Sequence, residues 1–142
     1  ITAVQNKNVA IIGAGGAGSN MVNWLYKKGI KGAETICCNT DLQHLNLVEA
    51  DRKFLIGKNV TRGLGCGGFP SKGAEAAQET LSEIKNVLAG TDLVFVCAGM
   101  GGGTGTGAAP IVARAAKEQG ILTVAVVTKP FGFEGQNQYP TG

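Results

Sequence analysis

The run Ala98-Gly99-Met100-Gly101-Gly102-Gly103-Thr104-Gly105-Thr106-Gly107 constrains this chain more than any other stretch. It lies between an apolar strand-like segment, 93–97, and a helical pattern at 108–119. A loop with so little Cβ bulk can turn its backbone N–H groups inward. The helix after it contributes unpaired N–H groups and the positive end of its dipole. Thr104 and Thr106 add hydroxyl donors. The result is a concave, donor-rich, uncharged cradle that suits a di- or triphosphate. A flexible glycine linker is the plain alternative, and the strand before and helix after weigh against it.

Strand and helix patterns alternate along the whole chain. Apolar strand segments fall at 9–12, 35–38, 53–56, 93–97 and 121–127. Helical spacing appears at 19–28, briefly at 42–48, and then at 72–88 and 108–119. Ser71 is placed to cap the long helix and Gly90 to stop it. Pro110 is tolerable only in the first turn of the last helix, and Gly120 ends that helix. The fourth and fifth strands are apolar on both faces, which indicates a parallel sheet covered by helices on both sides. Right-handed crossovers then give an α/β fold: a doubly wound, Rossmann-like, mostly parallel sheet in three α/β/α layers, ordered 3-2-1-4-5. With 142 residues, 44% hydrophobic and 16% charged, the chain makes one domain with a packed core. The segment 130–142 reads as loop.

The net charge of +3 is mild, and its small basic groups, Lys27-Lys28-Lys31 and Arg52-Lys53, read as solvated surface. Nothing calls for nucleic acid as a partner. Cys37, Cys38, Cys66 and Cys97 have no C-x-x-C spacing, and His44 is the single histidine, so no zinc site is expected. Buried, reduced thiols in a cytosolic protein are the expectation. No apolar run reaches the ~20 residues that span a membrane. No secretory leader is read at the N-terminus, which starts at Ile1 and not at Met.

Four loops leave the C-terminal ends of the strands, where an open α/β sheet binds its ligands. Gly13-Ala14-Gly15-Gly16-Ala17-Gly18-Ser19-Asn20 fits G-x-G-x-x-G between a strand and a helix. Alone it fits a dinucleotide as well, with Asp41 about 20 positions on to take the ribose. Asn39-Thr40-Asp41 follows the second strand; Asp41 can hold Mg²⁺, directly or through water, or cap the next helix. Gly63-Leu64-Gly65-Cys66-Gly67-Gly68-Phe69-Pro70 can close over a terminal phosphate or form a surface loop. Cys66 has no neighbouring histidine and is not read as a nucleophile. The fourth loop is the opening glycine run. Two glycine cradles flank the switch point, where a dinucleotide enzyme normally needs one. G-x-x-x-x-G-K-[ST] is absent, so this is not a P-loop chain. No lysine sits in the phosphate loops, so dipoles, N–H groups and Mg²⁺ must offset the charge.

These motifs resemble the tubulin/FtsZ superfamily, in its FtsZ branch. Gly101-Gly102-Gly103-Thr104-Gly105-Thr106-Gly107 is similar to the superfamily signature. Gly15-Gly16-Ala17-Gly18, Asn39-Thr40-Asp41, Thr61-Arg62-Gly63-Leu64-Gly65 and Thr128-Lys129-Pro130-Phe131 follow in the order that branch shows. The resemblance covers nearly all of the chain. It implies binding of GTP and GDP with Mg²⁺, head-to-tail filaments and membrane-tethering division proteins as partners. It places the protein in the cytoplasm, at a mid-cell division ring. Gly15, Gly16, Ala17 and Gly18, with Gly101, Gly102, Gly103, Thr104, Gly105, Thr106 and Gly107, would hold phosphates. Gly65, Cys66, Gly67 and Gly68 would sense the γ-phosphate. Asn20 would lie near guanine, Asn39 and Asp41 at the Mg²⁺–phosphate end, and Glu134 at the ribose; Pro130 would also contact the nucleotide.

Two departures from the family pattern carry expectations. Gln136-Asn137-Gln138 stand where basic residues usually follow Phe-Glu-Gly. The family also continues into a central helix that clasps guanine and a second domain whose acidic loop activates water on a neighbouring subunit's nucleotide. The chain ends before both, so it is expected to bind nucleotide weakly, to hydrolyse it poorly and to expose apolar surface. A non-catalytic FtsZ-like module that caps filaments and an NAD(P)-dependent oxidoreductase domain are the alternative readings.

Overall fold

The computed structural model describes residues 8–99 and 101–128. Strands β1 (Val9–Ala14), β2 (Glu34–Asn39), β3 (Arg52–Leu55), β4 (Leu93–Gly99) and β5 (Leu122–Thr128) form one sheet. Its order is β3-β2-β1-β4-β5 and every pairing is parallel, as the alternation of strand and helix requires. Helix α1 (Gly15–Lys28) follows β1, the short α2 (Leu42–Leu47) follows β2, α3 (Pro70–Glu79) and α4 (Leu81–Leu88) follow β3, and α5 (Gly103–Glu118) follows β4.

Side chains alternate across each strand and so build two cores. Ala10, Ile12 and Ala14 of β1 join Ile36, Val94 and Val96 beneath α3, α4 and α5, with Ile84, Leu88 and Val112 from those helices. Ile11, Cys37 and Cys97 point the other way and pack with Val22, Leu45 and Val48 of the α1–α2 side. Ile12, Ile36, Ile84 and Leu88 are fully buried. Each such side chain contributes about 1.5–3 kcal/mol of transfer free energy. Three layers result, with β1 and β4 at the centre.

The structure moves several helix boundaries. α1 starts at Gly15, not at residue 19, and α5 starts at Gly103, not at 108. Glycine is a poor helix former, but the first turns need it. A Cβ on Gly105 would stand 3.0 Å from the Ala14 carbonyl oxygen, and one on Gly18 would overlap the Cys97 carbonyl. Close packing outweighs intrinsic propensity here. Pro110 therefore lies inside α5, beyond the first turn. It and Thr106, whose carbonyl loses the usual helical donor, are both exposed.

The expected helix at 72–88 is two helices that meet at Thr80. Its hydroxyl donates to the Ala76 carbonyl at 2.9 Å and accepts from the Gly57 N–H at 2.8 Å, which ties the break to the loop after β3. Ser71 is not the cap: Phe69 is extended (φ −96°, ψ 111°) and Pro70 opens the helix. Proline suits the first helical position and holds the residue before it extended. The fifth strand also departs from expectation. β5 pairs with β4 along one side only, and Leu122, Val124 and Val127 are 66%, 39% and 53% exposed. Cover on both faces holds for β4 but not for β5 among the described residues.

Candidate functional site

At the C-terminal edge of the sheet, the loops after β1, β2, β3 and β4 surround a cleft of about 420 Å³. It opens where strand order reverses, between β1 and β4, because their crossovers leave toward opposite faces. Two helices aim their N-termini at it. Ala14 precedes α1 and Gly102 precedes α5; neither helix has a side-chain cap or an acidic residue in its first turn. The first N–H groups of a helix have no partner within it, and both dipoles present their positive ends. Gly16 and Ala17 line the cleft from α1, and Gly102, Gly103, Thr104 and Gly105 from the start of α5.

The third wall is the loop between β3 and α3, through Leu64, Gly65, Cys66, Gly67 and Gly68. Gly65, Gly67 and Gly68 take φ of 87°, 64° and 80°, a left-handed conformation that favours glycine. Cys66 is buried, with Sγ 3.2 Å from Thr104 Oγ1. Thr104 Oγ1 is also 2.7 Å from Thr40 Oγ1, so one buried hydroxyl ties the start of α5 to two loops.

The fourth wall follows β2. Asn39 is buried, and its Oδ1 accepts from the N–H of Thr40 at 2.8 Å and of Asp41 at 3.3 Å. Asp41 caps α2: its Oδ1 accepts the His44 N–H at 3.1 Å. Asp41 also lines the cleft, so capping the helix does not take it away from the site. Asp41 is the one carboxylate on the lining, and no lysine or arginine joins it among the described residues.

The remaining sequence candidates sit elsewhere. Gly15 (φ 77°) packs against α5, where a Cβ would be 2.6 Å from the Gly105 nitrogen. Gly18 lies against β4, and Gly107 against the Pro70 carbonyl of α3. Gly101, Thr106 and Asn20 are exposed and off the cleft lining. Pro130 and Glu134 lie outside the described residues. Ala14, Thr40, Leu64 and Gly99 lie in the four loops that the sequence brings to the crevice but were not singled out there, and His44 was missed altogether. It was within reach: a residue three beyond a helix cap sits one turn up, close to that cap.

The fold and cleft define a doubly wound α/β domain whose ligand crevice is lined by glycine loops and helix N-termini. The chain belongs to the tubulin/FtsZ family, whose GTPase domain matches residues 8–141. It is 57% identical over 126 residues to cell division protein FtsZ 2 of Haloferax volcanii, covering 89% of this chain and 32% of that protein. It is 57% identical over 127 residues to cell division protein FtsZ of Aquifex aeolicus, covering 89% and 35%. An empty FtsZ dimer from M. jannaschii superposes with a TM-score of 0.88 at 50% identity, over 95% of this chain and 40% of that one. The chain thus spans about a third of the length of the curated relatives it matches.

Proposed function

We propose that this chain is the nucleotide-holding part of an FtsZ-type division GTPase and that the cleft binds the phosphates of GTP and GDP. One observation carries the reading: two uncapped helix N-termini converge on a glycine-walled cleft without lysine or arginine on its lining. Such a site balances phosphate charge with N–H groups and dipoles, and discriminates little between nucleotides until a base contact is made. Gly15 to Gly18 and Gly101 to Gly107 frame the phosphates, some by lining the cleft and others by holding the two helices together. Gly65 to Gly68 close over the terminal phosphate. Asn20, Pro130 and Glu134 are assigned to the nucleoside end from the family resemblance.

Mg²⁺ fits the donor set. Mg²⁺ sites commonly combine one or two carboxylates with substrate phosphates and water. Asp41, on the cleft lining, supplies one; its Oδ1 caps a helix, and Oδ2 would be the oxygen offered to the ion. When bound, Mg²⁺ would neutralise phosphate charge. No cluster of three or more metal-ligating side chains exists among the described residues; phosphate oxygens and water would supply the other ligands.

The family resemblance assigns water activation to acidic residues of a neighbouring subunit. We therefore expect this chain alone to bind guanine nucleotide weakly and to turn it over slowly. Assembly into filaments is the partner interaction proposed, in keeping with the FtsZ dimer it resembles. No described helix is long and apolar enough to cross a membrane. Membrane-tethering division proteins are proposed as partners from the family resemblance alone. Calorimetric titration with GDP, GTP, ATP and NADH at millimolar concentration, with Mg²⁺, tests the reading. Preference for guanine nucleotides is expected. Preference for NADH, or no binding of any nucleotide, would overturn it.

A further inference from the structure

His44 is the one histidine in the chain, and the family motifs assign it nothing. It stands on the cleft lining, and its ring is held in one state by its neighbours. Asn39 Oδ1 accepts two backbone N–H groups, from Thr40 and Asp41, so the amide cannot turn without orphaning both. Its Nδ2 therefore faces His44 Nδ1, 3.3 Å away. An amide nitrogen only donates, so Nδ1 must accept, and the neutral ring carries its proton on Nε2. That edge of the ring faces the first turn of α1: a Cβ built on Gly16 would stand 4.0 Å from both Cε1 and Nε2. Glycine there leaves the space between ring and helix open. The other side-chain donors on the lining contact one another or the ring itself: Thr40 and Cys66 both meet Thr104, and Asn39 meets His44.

We infer that His44 is a phosphate-contacting residue: its Nε2–H, fixed by the Asn39 amide, donates to a phosphate oxygen seated at the N-terminus of α1. Asn39 is the positioning residue that sets the tautomer. This rests on the nucleotide reading above and adds a neutral side-chain donor to a cradle otherwise built from backbone. The contact orients a phosphate oxygen through a side chain.

With one histidine, imidazole ¹H–¹⁵N long-range spectra of the 142-residue chain are unambiguous. The free chain is expected to show the Nε2–H tautomer, and GDP to shift the Nε2 signal in particular. His44→Ala should weaken GDP binding about 10- to 100-fold, the range for a hydrogen bond to a charged group. His44→Gln, which keeps a donor, should recover part of that loss. Asn39→Ala, checked for folding by circular dichroism, should release the ring to both tautomers. An Nδ1–H tautomer in the wild-type chain overturns the inference whether or not nucleotide binds. GDP binding with unmoved imidazole signals and equal affinity in His44→Ala overturns it while leaving the nucleotide reading intact. No nucleotide binding in any variant overturns the nucleotide reading, and this inference with it.

Discussion

Replacing Thr104 by valine should destabilise the chain through a group it leaves behind, more than through the group it removes. Valine has nearly the shape of threonine, so packing at this buried position is kept. What changes is Thr40: its hydroxyl is fully buried, and Thr104 Oγ1 at 2.7 Å is its partner. An orphaned buried hydroxyl costs about 1–3 kcal/mol. For a domain of this size that lowers Tm by about 3–10 °C. Thr40→Val should cost less, because Thr104 Oγ1 keeps Cys66 Sγ at 3.2 Å. In the Thr40→Val/Thr104→Val double variant, neither hydroxyl remains to be orphaned. Its loss should be smaller than the sum of the single losses by about 1–2 kcal/mol. Thermal and urea unfolding, followed by circular dichroism, give all four corners of the cycle. Additive losses, or a Thr104→Val variant as stable as the parent, would show that this hydroxyl pair does not tie the loops together.

Two further outcomes follow from burial. Burial pushes the Cys37 and Cys97 thiols up to about 11 and Cys38 to about 12, against 9.0 for a free thiol. A folded-state pKa raised this way leaves stability whole below about pH 9 and erodes it as pH climbs toward the folded values. The slope is about 1.4 kcal/mol per pH unit for each thiol. The urea midpoint should therefore fall between pH 9 and 11, and less steeply in Cys38→Ala; parallel profiles for the two proteins would contradict this. Glycine substitutions separate packing from lining: a Cβ on Gly107 would collide with the Pro70 carbonyl and stand 2.7 Å from the Ala74 nitrogen. Gly107→Ala should cost about 1–3 kcal/mol in urea unfolding. Gly102→Ala, with open space around it, should stay within about 0.5 kcal/mol of the parent.

Much of the fold is legible from local pattern. Apolar runs and helical spacing recur in alternation, and that alone implies parallel pairing, crossovers of one hand and ligand loops at one edge. The expected strand order 3-2-1-4-5 adds to that the placing of the glycine loops at a switch point beside β1, and the structure has that order. Helix starts are not legible in this way, because glycine and proline carry weak or adverse helix propensity. The first turns of α1 and α5 are helical because strand and helix backbones approach too closely for a Cβ, as at Gly18 and Gly105. The break at Thr80 depends on a hydrogen bond to Gly57, 23 residues earlier. No local window contains both.

The same division runs through the site. Periodicity and glycine content act over a few residues, so the sheet, its glycine-rich edge and the loops proposed to cradle phosphate can all be read locally. Tertiary structure alone decided which glycines line the cleft and which hold helices together. It also brought Thr40 to Thr104 across 64 positions, and made Asp41 both cap and lining. It turned His44 toward α1 through the Asn39 amide. These are matters of a few ångströms between segments that the chain itself keeps apart, and only packing the two helical layers against the sheet sets such distances.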